Sequence, residues 1–153
     1  MADEAGPLEP IVADVIVAAN VEDAWRAVSG AETFPRWFAA LNYQPRVGAQ
    51  FHLQPDDSKR ARGDVSGAMV CEVEALEPLS RMQFSWGAPG RAKTWVVIGL
   101  RPIDPRQTFV RLHHSGWDQF PRHEIQPIRD ELWRGYRDFV MPALKALCEG
   151  RAA

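Results

Sequence analysis

The sequence is poor in cysteine, in net charge and in long apolar runs. Its 153 residues include only Cys71 and Cys148 as cysteines, too few for a disulfide framework or a cysteine-bound metal cluster. The 18 Lys and Arg residues are scattered and nearly balanced by 20 Asp and Glu residues, which argues against a nucleic-acid partner. The longest apolar runs, such as residues 96–98, are far shorter than the ~20 residues that cross a bilayer, so no membrane partner is expected.

Motifs for secretion, metals and cofactors are also missing from the sequence. Residues 1–9 are acidic and lack the basic region and apolar core of a secretion signal, which predicts a cytoplasmic location. His123 and Glu124 do not begin a zinc-binding HExxH motif, because Pro127 stands where its second histidine would be. We therefore expect no metal site and no cofactor.

Aromatic residues are plentiful for a chain of this length. The sequence contains six Trp, seven Phe and two Tyr residues, more wide, flat side chains than a small core requires. Such a surplus predicts either a lined pocket or an interface. The plain alternative is a core of large residues that meet and fill the space, since Trp is mostly buried in any case.

The order of predicted elements indicates an α+β fold. A strand at residues 11–18 precedes two short helices, the first capped by Asn20 and the second over residues 31–37. Strands follow at residues 50–53, 65–76, 82–86, 94–100 and 109–114, with residues 59–64 as the tip of a hairpin. A long amphipathic helix spans residues 127–148, kinked at Pro142 and ended by Gly150. We expect a curved antiparallel sheet around this helix, in one domain at residues 10–153 after a flexible segment at residues 1–9.

An ordered set of residues from 11 to 147 resembles a known family. The set comprises Val17, Ala18, Ala19, Val21, Ala24, Trp25, Trp37, Phe38, Val47, Gly48, Val73, Glu77, Pro78, Met82, Phe84, Trp86, Thr108, Val110, Leu112, His114, Ser115, Gly116 and Trp117. It is similar to the activator-of-heat-shock-protein-90-ATPase homologue-like family of the START and polyketide cyclase superfamily. The resemblance implies the helix-grip fold of the birch-pollen allergens, with a cavity between sheet and helix. Relatives include lipid carriers, cyclases and chaperone co-factors, so the fold alone does not give the function.

The candidate ligand-binding residues are apolar or aromatic side chains predicted to face this cavity. They are Trp37, Phe38, Phe51, Met69, Phe84, Trp86, Leu112, His114, Trp117, Trp133 and Tyr136. His114 shares the inward parity of Val110 and Leu112, so it is the candidate to orient a polar group or to act as acid or base. The alternative is that its ring ties the end of the strand to neighbouring groups.

We expect a binding protein for a small hydrophobic or aromatic ligand, with His114 or Tyr136 orienting the ligand's polar end. One alternative is a cyclase, aromatase or hydratase-type enzyme that uses His114 as acid or base in the same cavity. A second alternative is a chaperone-associated protein of the stress response, or another interaction module. Trp95 has the outward parity on its strand, so a homodimer through this sheet face is also predicted, unless the N-terminal segment covers it.

Overall fold

An antiparallel sheet forms the framework of the protein, for which a computed structural model describes residues 8–150. Its strands are β1 (Ile11–Val17), β2 (Ala40–Leu41), β3 (Gln50–Leu53), β4 (Met69–Glu77), β5 (Arg81–Gly87), β6 (Thr94–Asp104) and β7 (Gln107–Ser115). The seven strands are ordered β1-β7-β6-β5-β4-β3-β2, and every neighbouring pair is antiparallel. Consecutive strands are neighbours from β2 to β7, whereas β1 pairs with the last strand and places Ile11 opposite His114.

Helices cover the concave face of the sheet. They are α1 (Val21–Ser29), α2 (Phe34–Phe38), α3 (Asp57–Ala61), α4 (Arg122–Gly135) and α5 (Met141–Cys148), with a 3-10 turn at Trp117–Gln119 and a π-helical turn at Tyr136–Val140. Together α4, the π turn and α5 form the long C-terminal helix. A curved antiparallel sheet that grips this helix confirms the predicted helix-grip fold.

Local side-chain caps explain where two of the short helices begin. The Oδ1 atom of Asn20 accepts a hydrogen bond from the Asp23 backbone N–H at 2.7 Å, which confirms the predicted cap of α1. The Oδ1 atom of Asp56 accepts from the Lys59 N–H at 2.9 Å and caps α3 in the same way. Residues 59–64 lie in the connection between the antiparallel strands β3 and β4, as predicted, and the structure adds a short helix there because Asp56 caps α3.

The period of two along the strands separates the two faces of the sheet. On β5 and β7, Met82, Phe84, Leu112 and His114 are fully buried on the concave face, as their parity predicts. Trp95 lies on the opposite face and is half-buried. Part of its ring lies 3.0 Å from the position that a Cβ atom would occupy on Gly116, so only glycine fits beneath it.

The long helix differs from its prediction in where it begins and in which residues it buries. It begins at Arg122 and not near residue 127, so Pro127 lies within α4. Ile128 and Phe139, which were expected on the buried stripe, are 54% and 74% exposed. The backbone changes to a π turn just before Pro142, where the sequence predicted a kink.

The C-terminal helix is fastened to β1. The Trp133 indole N–H donates to the Val12 carbonyl at 3.3 Å, and the Lys145 ammonium donates to the Ile16 carbonyl at 3.2 Å. Glu149 accepts from the Ala18 N–H at 2.9 Å with its Oε2 atom. Because these bonds hold the helix along one edge of the sheet, they leave space on the side of β3, β4 and α3.

The predicted flexible N-terminal segment falls mostly on residues 1–7, which lie outside the described residues. Within its last part, the Glu9 carbonyl accepts from the Arg129 guanidinium at 2.8 Å, and the neighbouring Pro10 carbonyl accepts at 3.2 Å. Arg129 thus connects the start of β1 to α4. At the other end of the chain, Gly150 has a φ of 75°, as expected of a residue that ends a helix.

Candidate functional site

A cavity of about 990 Å³ occupies the space between the C-terminal helix and the side of the sheet that carries α3. Its lining comes from α2, α3, the ends of strands β3 to β6, the connection between β5 and β6, the 3-10 turn, α4 and the π turn. The lining residues that are buried form what we call the buried end of the cavity. Its aromatic and polar members are Trp37, Phe38, Thr94, Trp117 and Tyr136. The exposed lining residues, which we call the rim, include Arg36, Asp57, Arg91, Glu124, Ile128, Glu131 and Phe139.

Six of the predicted ligand-binding residues line this cavity. They are Trp37, Phe38, Met69, Trp86, Trp117 and Tyr136. They come from four separate regions of the chain, namely α2, the sheet, the 3-10 turn and the long helix. The structure therefore brings together side chains that are far apart in the sequence, such as Trp37 and Tyr136, which are 99 residues apart.

Phe51 and Phe84 lie outside the cavity although both face inward. They belong to what we call the packed cluster, which consists of Phe34, Phe38, Tyr43, Phe51 and Phe84. The ring centroids of Phe34 lie 5.5 Å from Phe51 and 5.8 Å from Phe84, both at steep edge-to-face angles. Because α2 inserts Phe34 against the sheet, it fills the space that these residues would otherwise line.

Leu112 and Trp133 also lie outside the cavity. Leu112 is fully buried in the core between Ala13 on β1 and Ile98 on β6. Trp133 lies on the side of α4 that faces β1, where the Arg137 guanidinium lies 4.5 Å from the centre of its ring. Parity predicted burial for Leu112, and Trp133 was selected as part of the aromatic set, but neither signal could show which side of the helix the cavity occupies.

His114 lies behind the cavity wall and does not line it. Its ring is enclosed by Trp86, Trp117 and Tyr136, whose centroids lie 5.1, 4.4 and 5.9 Å away. Its Nδ1 atom is 2.8 Å from the Tyr136 hydroxyl, and its Nε2 atom is 2.7 Å from the Thr94 hydroxyl. Both ring nitrogens therefore have protein partners, which is the arrangement of a histidine that joins a strand to its neighbours.

Burial keeps the polar groups of this region uncharged. Removal from water, reinforced by the adjacent His113, lowers the pKa of His114 to about 3. Burial also raises the pKa of the Tyr136 hydroxyl well above its ordinary value, with a smaller contribution from Cys71. The pKa of the buried Cys71 thiol is raised by the same cause, so this cysteine is not an activated nucleophile.

The rim carries charged residues that are not among the predicted ligand-binding residues. Arg60, which also lines the cavity, donates to the Gln54 carbonyl and to the Asp57 carboxylate, each at 2.7 Å. Arg36 and Arg91 are exposed on the same side, while Glu124 and Glu131 lie on α4. The sequence signal for Arg60 was the capping residue Asp56, which places the next residues on a helix.

Neither a metal cluster nor a membrane helix is present among residues 8–150. No group of three or more His, Cys, Asp or Glu side chains in this range is placed to hold a metal ion. No helix in the same range has the length and apolar character needed to cross a membrane.

The sheet, the gripped helix and the cavity between them define a START-like helix-grip domain. A family model described as "Activator of Hsp90 ATPase homolog 1-like protein" matches residues 18–138. The chain belongs to this family. No curated protein is similar enough in sequence to count as a relative.

Solved structures share this fold over almost the whole chain. A Bacillus halodurans protein is 26% identical with a TM-score of 0.72, and the match covers 94% of this chain and 99% of that one. DynU16, a protein in the dynemicin biosynthetic locus, is 22% identical with a TM-score of 0.68, over 95% of this chain and 49% of that one. The Aha1 dimer from Colwellia psychrerythraea is 16% identical with a TM-score of 0.66, over 93% of this chain and 97% of that one. At these identities the last two show a common fold alone.

Proposed function

We propose that this protein binds a small hydrophobic or aromatic molecule in the cavity beneath the C-terminal helix. The observation that carries the proposal is an open space of about 990 Å³ whose buried end is aromatic. Pockets for small molecules are typically 300–1,000 Å³ and mostly apolar, with a few polar groups that orient the ligand. Burial of the ligand's apolar surface would supply most of the affinity.

The position of His114 favours binding over acid–base catalysis at this residue. A general acid or base must lie within hydrogen-bond reach of the reacting atom. Three aromatic side chains separate His114 from the cavity, and both of its nitrogens are bonded to protein hydroxyl groups. The groups that can touch a ligand are instead Thr94 and Tyr136, whose hydroxyls are suited to orient it.

Gly135 offers a direct way to test the cavity. It lies in helical conformation on the cavity wall, and a Cβ atom added there would meet no other atom within 4 Å. We therefore expect Gly135→Leu to place its side chain in the cavity, beginning from a Cβ atom that meets open space. Gly99→Leu is the matched control, because a Cβ on Gly99 also meets open space but Gly99 lies on β6 outside the cavity lining.

The test is a fluorescence titration with the neutral probe N-phenyl-1-naphthylamine, preceded by native mass spectrometry of the freshly purified protein. We expect one probe molecule per chain, at least a tenfold loss of affinity in Gly135→Leu, and less than a twofold change in Gly99→Leu. A co-purified mass of a few hundred daltons that is lost in Gly135→Leu would add support. Equal probe affinity in both variants would contradict binding in this cavity.

We also infer a homodimer through the sheet face near Trp95. Trp95 is half-buried there, and it lies between the small residues Ser85 and Ser115 of the neighbouring strands. Sedimentation equilibrium should then show a dimer that Trp95→Lys converts to a monomer. A wild-type monomer at all concentrations would contradict this interface and leave the binding proposal untouched.

A further inference from the structure

The neighbours of the Thr94 hydroxyl determine which group it donates its hydrogen to. Thr94 Oγ1 lies 3.1 Å from the Trp86 carbonyl oxygen, which can only accept, so the hydroxyl donates to it. A hydroxyl has one hydrogen, and Thr94 therefore accepts from the Nε2 atom of His114 at 2.7 Å. His114 must then carry its ring proton on Nε2.

This tautomer determines the direction of the next hydrogen bond. A neutral histidine with its proton on Nε2 has a bare Nδ1 atom, which can only accept. The Tyr136 hydroxyl, 2.8 Å from Nδ1, must donate to it. Tyr136, His114 and Thr94 thus form one directed chain that ends at the Trp86 carbonyl, and the oxygens of Tyr136 and Thr94 retain only acceptor capacity.

The other donors of the buried end are also used within the protein. The Trp37 indole N–H donates to the Ala27 carbonyl at 3.1 Å. The Trp117 indole N–H donates to the His114 carbonyl at 2.9 Å. Of the indoles that line the cavity, only that of the half-buried Trp86 has no acceptor among residues 8–150.

We infer that the ligand carries a hydrogen-bond donor, a phenol or alcohol hydroxyl, which it directs at the oxygens of Tyr136 and Thr94. The inference rests on the proposed binding function and deepens it by naming the ligand class. Placed against the oxygens of Tyr136 and Thr94, a ligand carbonyl or ether brings a further acceptor to groups that can only accept, and among the lining indoles only that of the half-buried Trp86 could donate to it. Such a ligand would leave buried polar groups unpaired, which costs more than a hydrogen bond contributes.

Probes that share one ring system show how much the hydrogen-bond donor contributes to affinity, apart from the shape of the ligand. 2-Naphthol, 2-methoxynaphthalene and 2-naphthaldehyde share a ring system and differ in offering a donor, an ether acceptor or a carbonyl acceptor. Each is titrated against bound N-phenyl-1-naphthylamine, and displacement gives the relative affinity. We expect 2-naphthol to bind about fivefold more tightly than the other two, the effect of one hydrogen bond.

Two tyrosine variants assign that preference to the cavity. Tyr136→Phe removes one of the two acceptor oxygens and should at least halve the preference for 2-naphthol, while the Thr94 oxygen remains as an acceptor. Tyr43→Phe makes the same chemical change in the packed cluster, where the hydroxyl donates to the Ser29 carbonyl at 2.7 Å, and should leave the preference intact. Equal binding of the three probes, or tighter binding of 2-naphthaldehyde, would overturn the donor inference while the binding function stands. Failure of every probe to bind would remove the binding function itself.

The tautomer can be tested without any ligand. The ¹⁵N chemical shifts of the His114 ring distinguish a protonated Nε2 from a protonated Nδ1. In the wild-type protein at neutral pH we expect a proton on Nε2 and none on Nδ1. This measurement does not depend on whether the Tyr136→Phe variant folds. A proton on Nδ1 would reverse the direction of the chain and overturn the inference.

Discussion

The packed cluster and the cavity are both built from aromatic residues, but in the first these residues fill the space and in the second they line an open one. In the packed cluster, Phe34 lies 4.4 Å from Tyr43 and 5.3 Å from Phe38, measured between ring centroids. Around the cavity the spacing is less even: Trp37 lies 5.2 Å from Phe38, which belongs to both groups, whereas Trp86 lies 6.4 Å from both Phe38 and Tyr136. The difference follows from the elements that cover the sheet, since α2 inserts a ring at one end while the C-terminal helix is held against β1 at the other. Aromatic content alone therefore does not distinguish a filled core from a pocket.

The largest effect on stability should come from removing an aromatic side chain from the packed cluster. Phe84 is fully buried and lies 5.2 Å from Phe51 and 5.5 Å from Phe38. Phe84→Ala should lower the free energy of unfolding by about 3–5 kcal/mol, because the close-packed surroundings cannot collapse onto the gap. Urea denaturation followed by circular dichroism measures this loss.

Trp86→Ala provides the contrast on the cavity side. Trp86 is half-buried and already borders open space, so its removal should cost about 1–2 kcal/mol. Probe affinity should respond in the opposite order, falling more in Trp86→Ala than in a folded Phe84→Leu. A larger stability loss in Trp86→Ala than in Phe84→Ala would show that the two regions do not differ in packing.

An intermediate effect is expected from pH, through the buried histidine beside the cavity. The pKa of His114 is lowered to about 3 in the folded protein, whereas an unfolded histidine has a pKa of about 6.5. Between these values the unfolded chain binds a proton that the folded chain does not. The free energy of unfolding should therefore fall as the pH is lowered from about 6.5, by at most about 1.4 kcal/mol per pH unit.

The comparison with two variants isolates His114 from other groups. His114→Gln removes the titrating ring and should flatten the dependence between pH 6.5 and pH 5. His123→Gln is the control, since this side chain is 83% exposed, and it should keep the wild-type slope. Identical slopes for the wild type and His114→Gln would contradict the assignment of the pH dependence to His114.

The smallest effect should come from adding one methyl group at the cavity wall. Gly135 has helical backbone angles, and a methyl group there meets open space. Gly135→Ala should raise the free energy of unfolding by about 0.5–1 kcal/mol, because alanine loses less backbone entropy in a helix. A thermal melt detects this gain, and a loss of stability instead would mean that the π turn beginning at residue 136 depends on glycine.

Strand parity predicted the inward residues well, because a period of two leaves only two choices. It placed Phe84, Leu112 and His114 on the concave face, where all three are fully buried. It could not predict that Tyr136 would stand between His114 and the cavity, because that depends on where the helix lies across the sheet. Family resemblance supplied the helix-grip fold, but not the position of the opening.

Helical period failed to predict the buried face of the C-terminal helix beyond Tyr136, and it also placed the exposed Ile128 on that face. Met141 and Leu144 are buried, although they follow Tyr136 by five and eight residues and would lie off its face on a regular α-helix. The π turn at Tyr136–Val140 holds one extra residue, so these spacings act as four and seven. A single inserted residue cannot be read from hydrophobic periodicity, which is why Phe139 was wrongly expected to be buried.

The pairing of β1 with β7 has a consequence for the order in which the chain folds. The pairs from β3 to β7 join neighbours along the chain, whereas β1 must find a strand about a hundred residues later, with Val17 opposite Thr108 and Ile11 opposite His114. Closing so large a loop is slow compared with forming a hairpin. During synthesis, β1 therefore emerges from the ribosome before β7 and remains without its partner until β7 has been made. We expect the hairpins to form early and the docking of β1 with the C-terminal helix to complete folding.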